Sequence, residues 1–541
     1  MMRRSAALKL VLSIAIAATG MTAARAATAA PVAAAPACSD GTLVQTDSGP
    51  VCGLDGNGIR NWLGIPYAAP PVGDLRWKPP AKHPGWTAPL QATELPSACP
   101  QPSDFRPGST NEDCLRVNVR VPEGTDGKAL PVMVQLHGGG FRLGQPSNGT
   151  RLATEGKVIQ VEVGYRLGIM GFLSHETFGR HAGNYGIQDQ QAALRWVQRN
   201  IARFGGDPGN VTIFGPSAGG SSVCANMASP TARGLFHKGI VESGEYSALR
   251  GANTTWQPQD CATRLPSQSE AQDAGARFAA AVGCAGAADV PACLRQVPVQ
   301  TLLDKAGDGL KPDNGTLAPI VDGKTLTMSP GEAFAAGRFN KVPVIHGVAR
   351  DETQTPPAET PAGYEALIRS QYGSYAPEVM KRYPLSRFPE PAAYIASRTI
   401  LADANSVCPA LQNNRRLARH VPVFAYRFDD TNPPPLPFVD STKPAGAFHV
   451  GEFGYLFFGT FPGHTSLNPN QRPFLAQLTA QWTGFARTGD PTVNGTPRWT
   501  RFSSDNEAQM SLLPAGDSHL TSETAEQHHC GFWQRLTPSA S

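Results

Sequence analysis

The stretch Val211-Thr212-Ile213-Phe214-Gly215-Pro216-Ser217-Ala218-Gly219 constrains this chain more than any other. A short apolar run ends abruptly in a serine flanked by glycines, and small residues continue through Val223 toward Met227. The pattern predicts strand, sharp turn and helix. Such a turn holds the serine side chain out at the top of a sheet, and the glycines relieve crowding around a strained backbone. The pentapeptide alone is common by chance; its weight comes from what else the chain contains.

Upstream, the strand-like Pro131–Leu136 runs straight into His137-Gly138-Gly139-Gly140-Phe141. Acyl transfer puts negative charge on a former carbonyl oxygen, and backbone N–H groups aimed at that oxygen stabilise it. Glycines let the backbone come close enough to do so. A glycine run also serves turns and phosphate loops, but the chain has no G-x-x-x-x-G-K-[ST] motif, which argues against a phosphate loop.

Further apolar runs read as buried strands: Leu130–Leu136, Val158–Val163, Val211–Phe214, Lys238–Val241, Val342–Ile345 and Val421–Phe428. Between them Ile187, Leu194, Val197 and Ile201 fall on one helical face. Strands alternating with helices predict a mostly parallel sheet covered on both sides. Ligands of such sheets bind at the carboxyl ends of the strands, which is where Ser217 falls.

The first residues read as an address. Arg3, Arg4 and Lys9 precede the short apolar run Leu10–Ala18, and Ala24-Arg25-Ala26 is a small-x-small cleavage site. Residues 1–26 are therefore expected to be a secretory signal peptide, with 27–37 a flexible lead-in and 38–541 one domain. The apolar run is too short for a membrane anchor. Without residues 1–26 the chain carries 43 basic and 43 acidic side chains, a balance that argues against nucleic acid or an anionic membrane as partner. Ten cysteines in an exported chain suggest disulfides. None forms a C-x-x-C pair, so a metal or redox site is not expected.

Longer strings sharpen the reading. They are Asn111-Glu112-Asp113-Cys114-Leu115, Tyr165-Arg166-Leu167-Gly168, Gly183-Asn184-Tyr185-Gly186 with Asp189-Gln190, and Phe204-Gly205-Gly206-Asp207-Pro208. With these in order, the chain from about Thr42 to Pro538 resembles the type-B carboxylesterases, the cholinesterase-like branch of the α/β-hydrolases. The resemblance implies the α/β-hydrolase fold and hydrolysis of small-molecule carboxylic esters by a serine enzyme, without a cofactor. It assigns Ser217 as nucleophile and His449, in Gly446-Ala447-Phe448-His449-Val450-Gly451-Glu452, as general base and acid. The carboxylate comes from Arg350-Asp351-Glu352, with Glu352 chosen and Asp351 its neighbour and competitor. The oxyanion donors it implies are the N–H groups of Gly139, Gly140 and Ala218. By the same resemblance Ser243 and Glu452 match positions near the histidine, and Arg76–Glu112 and Arg166–Asp189 match two family ion pairs.

The same resemblance implies disulfides Cys99–Cys114, Cys284–Cys293 and Cys408–Cys530. Cys38 and Cys52 are close enough in sequence to close a local hairpin. Cys224 and Cys261 are left, either paired with each other or with Cys224 a buried thiol.

Two departures bear on substrate. The family's usual glutamate before the serine is Pro216, and the loop Cys99–Cys114 has no tryptophan to hold a quaternary ammonium. Arg142, with Phe141 beside it, follows the oxyanion glycines and is a candidate substrate contact. The two departures count against choline esters, and with export and Arg142 they leave an esterase for bulky esters with free carboxylates, of the tricarballylate or fumonisin type, as an alternative to a general carboxylesterase. A polyester-degrading role, and an amidase or thioesterase using the same residues, are alternatives. A non-catalytic binding protein of the same fold is disfavoured because serine, acid and histidine are all present.

Overall fold

A computed structural model of the protein describes residues 38–536 except 104–107, 125–126, 246–260, 262–263, 307–317, 353–356, 438, 441 and 460–465. The expected signal peptide and lead-in lie outside the described residues. Three short strands, β1 (Leu43–Gln45), β2 (Pro50–Cys52) and β5 (Leu90–Gln91), make a small sheet. The large sheet contains β3 (Leu54–Gly56), β4 (Ile59–Pro66), β6 (Arg116–Pro122), β7 (Leu130–Leu136), β8 (Ile159–Val163), β9 (Gly206–Pro216) and β10 (Lys238–Glu242). It continues through β11 (Val344–Ala349), β12 (Val423–Phe428), β13 (Gln509–Leu512) and β14 (His519–Thr521). The strand order is β14-β13-β12-β11-β10-β9-β7-β8-β6-β4-β3. From β13 to β8 in that order every pairing is parallel, and the pairings outside that range are antiparallel. This is the α/β-hydrolase arrangement, a large mixed sheet flanked by helices.

The central strands are continuous apolar runs because both of their faces are covered. Successive side chains of a strand point to opposite faces. Ile213, Val241, Val344 and Val423 accordingly join one core, with Ile187, Leu194 and Val197 of the helix Tyr185–Asn200. Their neighbours Phe214, Ile240, Ile345 and Phe424 join another, with Leu478, Trp482 and Phe485 of the helix Gln471–Thr488.

Strand β11 departs from expectation. It was expected at Val342–Ile345 and instead runs Val344–Ala349, through His346 and Gly347. A central strand can carry the polar His346 because Glu245 meets its Nε2 at 2.7 Å inside the core. The expected ion pairs are present: Arg76 is bidentate on Glu112 (2.8 and 2.6 Å) and Arg166 on Asp189 (2.7 and 2.7 Å). Cys38–Cys52, Cys99–Cys114, Cys284–Cys293 and Cys408–Cys530 are joined, and so are Cys224 and Cys261, whose state the sequence left open.

Candidate active site

The turn after β9 is fixed by exclusion. Ser217 sits at φ 61°, ψ −128°, a combination an L-residue adopts only under constraint. Its N–H donates to the Glu242 carbonyl on β10 (2.8 Å), and its carbonyl accepts the Ser221 N–H (3.0 Å), starting the helix Ala218–Ala228. A Cβ at either Gly215 or Gly219 would lie 2.0 Å from the Leu136 carbonyl oxygen at the end of β7. Nothing larger than glycine fits two residues before or two residues after the serine, which keeps 8 % of its surface exposed.

The glycine loop after β7 comes right up to this turn. A Cβ at Gly138 would meet the Pro216 carbonyl oxygen at 2.7 Å and Ser217 Cβ at 3.1 Å. Gly139, Gly140 and Phe141 all take positive φ (115°, 63° and 55°), so the backbone curls back on itself there. The Gly139 carbonyl accepts the N–H groups of Arg142 and Leu143 (3.1 and 3.0 Å), which closes the curl. Behind it Tyr165 stacks on the His137 ring (4.2 Å between centroids) and donates its hydroxyl to the His137 carbonyl (2.5 Å).

Glu352 lies three residues beyond β11 and His449 just before the helix Gly451–Leu456. The structure brings them together: His449 Nδ1 is hydrogen-bonded to Glu352 Oε1. Glu352 has no exposed surface, and its other oxygen accepts from Ser243 Oγ (2.8 Å) and the Ala349 N–H (3.0 Å). His449 keeps 8 % exposure. Asp351, the competing acid, instead bonds the Ala447 N–H (2.8 Å) and Arg350 (2.8 Å).

Deeper in lie two further carboxyls. Glu452 accepts from Tyr426 Oη (2.6 Å) and Glu242 from Trp482 Nε1 (2.9 Å). Both are wholly buried, and the second oxygen of each has no hydrogen-bond partner among the described residues. Burial pushes the Glu452 carboxyl up to about 7, against the pull of the Tyr426 hydroxyl and with a further push from Glu352. Burial, then the neighbouring Glu452, holds Glu242 well above the usual carboxylate range. Such groups favour the protonated form.

The substrate-contact expectations fare unevenly. Phe141 has no accessible surface; its ring packs edge-on against Phe172 (5.3 Å), so it braces the glycine loop from behind instead of lining an open space. Arg142 is half-buried. Sequence reasoning gave no part to Glu242, Tyr426 or Arg398. Glu242 directly precedes Ser243, a position already singled out, whereas nothing in the sequence around Tyr426 or Arg398 separates them from ordinary core and surface residues.

Comparison with known proteins agrees with this architecture. The carboxylesterase family model matches residues 40–533. The chain is 34% identical over 527 residues to the para-nitrobenzyl esterase of Bacillus subtilis (strain 168), covering 92% of this chain and 99% of that one. It is 32% identical over 502 residues to the fumonisin B1 esterase of Sphingopyxis macrogoltabida, with 88% and 87% covered. Among solved structures, a thermophilic para-nitrobenzyl esterase matches with a TM-score of 0.75 at 30% identity, over 92% of this chain and 100% of that one. The strand order, the serine turn and these matches together make the chain a member of the carboxylesterase family and a carboxylic ester hydrolase.

Proposed function

We propose that the protein is an exported serine carboxylesterase working through an acyl-enzyme on Ser217. The observation that supports this most directly is the bond between His449 Nδ1 and the buried Glu352 carboxylate. With Nδ1 so engaged, Nε2 is the nitrogen that exchanges a proton with Ser217. Ser217 Oγ adds to the ester carbonyl carbon as its proton passes to His449. The N–H groups of Gly139, Gly140 and Ala218 receive the developing oxyanion. The carbonyl re-forms, the bond to the alcohol oxygen breaks, and His449 returns the proton to that oxygen. Water then repeats the sequence on the acyl-enzyme, releasing the acid and restoring Ser217. Glu352 holds the imidazole tautomer and stabilises the imidazolium without taking the proton itself.

Ser217→Ala tests this reading. Turnover of a para-nitrophenyl ester should fall by about ten-thousand-fold or more with the thermal midpoint unchanged. A serine-directed phosphonate should label the wild type once, at Ser217; a label on any other serine overturns the assignment.

We read residues 1–26 as a signal peptide cut near Ala26, 27–37 as a lead-in and 38–541 as one hydrolase domain. Five disulfides fit an oxidising compartment. No helix among the described residues is long and apolar enough to cross a membrane.

A narrower substrate class, esters with free carboxylates, draws on Pro216, Arg142 and the similarity to a fumonisin B1 esterase. If Arg142 meets such a carboxylate, Arg142→Ala should lower kcat/KM more for the charged ester than for its neutral isostere, by about 1.5–3 kcal/mol. Equal losses would remove the anionic preference and leave the esterase reading intact.

A further inference from the structure

The two acids that follow β11 face different partners. Glu352 meets His449, whereas Asp351 meets the backbone of the loop that carries His449. The Asp351 N–H donates to the Ala447 carbonyl (2.9 Å), and Asp351 Oδ2 accepts the Ala447 N–H (2.8 Å). These reciprocal bonds tie the acid loop to the histidine loop, next to Glu352 on one side and two residues before His449 on the other.

A third element closes on the same point. Arg398, on the helix Ala392–Ala402, is nearly buried. Its guanidinium donates to the Pro444 carbonyl and stands 3.7 Å from Asp351 Oδ1. Gly446 lies between them at φ 63°; a Cβ there would be 2.4 Å from Asp351 Oδ2 and 2.8 Å from Arg398 Nη2. Residue 446 is glycine because the carboxylate and the guanidinium occupy the space a side chain would need. The same helix reaches the chain beyond the acid, where Ser397 Oγ accepts the Ala358 N–H (2.9 Å). A buried cation is costly unless it is paired and hydrogen-bonded. Arg398 obtains both from the two loops whose relative position decides where His449 meets Glu352.

We propose that Asp351 and Arg398 are positioning residues, locking the histidine loop onto the acid loop and so fixing His449 for proton delivery to the leaving alcohol. The proposal rests on the roles given above to Glu352 and His449. A shift of about 1 Å in a catalytic group can cost about a hundredfold in rate. The cost should fall unevenly across substrates. A para-nitrophenolate departs without a proton, whereas an alkoxide must receive one from the general acid.

The test compares Asp351→Asn and Arg398→Met with wild type on a para-nitrophenyl ester and an ethyl ester of the same acid. Both variants should lose about tenfold in kcat/KM, which reports the acylation step that releases the alcohol, on the aryl ester and about a further tenfold on the ethyl ester. The double variant should lose no more than the worse single one, since both act on one lock. Arg398→Lys keeps the charge but not the fork that reaches both loops; it should recover part of the aryl rate and still show the leaving-group difference. It also carries the test if Arg398→Met fails to fold. Equal losses on both esters, or independent losses that multiply in the double variant, overturn the proposal. Glu352→Gln and His449→Ala are run in parallel. If those two retain activity, the roles beneath the proposal fail. If they are inactive while the leaving-group ratio stays at its wild-type value in Asp351→Asn and Arg398→Met, only the positioning role fails.

Discussion

The serine side and the histidine side of the site are held by different forces. Around Ser217 backbone meets backbone: Gly215 and Gly219 press on the Leu136 carbonyl, Gly138 presses on the Pro216 carbonyl, and the Ser217 N–H is tied to β10. Around His449 most of the holding is done by side chains from remote stretches, Glu352, Asp351, Arg398, Ser243 and Tyr426, with exclusion at Gly446 and one backbone pair at Ala447 beside them. Steric exclusion of this kind admits no substitution and ignores pH. A web of carboxylates, hydroxyls and guanidinium groups tolerates partial change and responds to protonation.

That contrast can be broken by substitution. Glu352→Gln should have the largest effect on catalysis, about ten-thousand-fold in kcat, with the thermal midpoint little changed. Gly219→Ala should do the opposite and act on folding. Its Cβ would sit 2.0 Å from a backbone oxygen that belongs to a central strand and cannot move aside. A loss of about 3 kcal/mol or more, read from denaturant unfolding, is expected. If Gly219→Ala folds with wild-type stability, the serine turn is not held by exclusion and the contrast collapses.

Two disulfides sharpen the comparison, one on each side. Cys224–Cys261 pins the helix that follows Ser217 and closes 37 residues; Cys408–Cys530 closes 122 residues beside the histidine half of the sheet. In the chain-entropy picture they are worth about 4 and about 5 kcal/mol, so the paired serine variant of the second should lower stability more by about 1 kcal/mol.

The smallest effect concerns pH. Glu452 is raised from its ordinary 4.5 to about 7 in the folded protein, chiefly by burial. Between those values the folded state holds a proton that the unfolded state has released. This group therefore takes stability away as pH rises through about 4.5 to 7, and the loss is complete above that. Glu452→Gln, which cannot ionise, should show a flatter thermal midpoint between about pH 5 and pH 8 than wild type. An unchanged slope would mean that Glu452 is ionised throughout and that the histidine side responds to pH no more than the serine side.

The same contrast explains what could be read in advance. The serine turn and the glycine loop were legible because only glycine fits at Gly138, Gly215 and Gly219, and a steric demand is written in the residue itself. Strands β9, β10 and β12 were legible as buried strands from their apolar runs. Strand β11 was misplaced because His346 and Gly347 look like an interruption, and the partner that makes His346 acceptable, Glu245, lies far away in sequence. Asp351 and Glu352 are chemically alike on paper. Which one meets the histidine depends on the direction in which the chain leaves β11. Arg398 gave no signal, because a buried arginine looks like any surface arginine until its carboxylate is found.

The order of the sheet has a consequence for when activity begins. Ser217 is made early, Glu352 later, and His449 later still, while β13, which pairs with β12, and Cys530, which pairs with Cys408, come after His449. On the roles proposed for these three residues, a chain still being made holds the nucleophile without its base. Hydrolytic competence is therefore the last property to emerge during biosynthesis, and in refolding it should lag the return of helical signal.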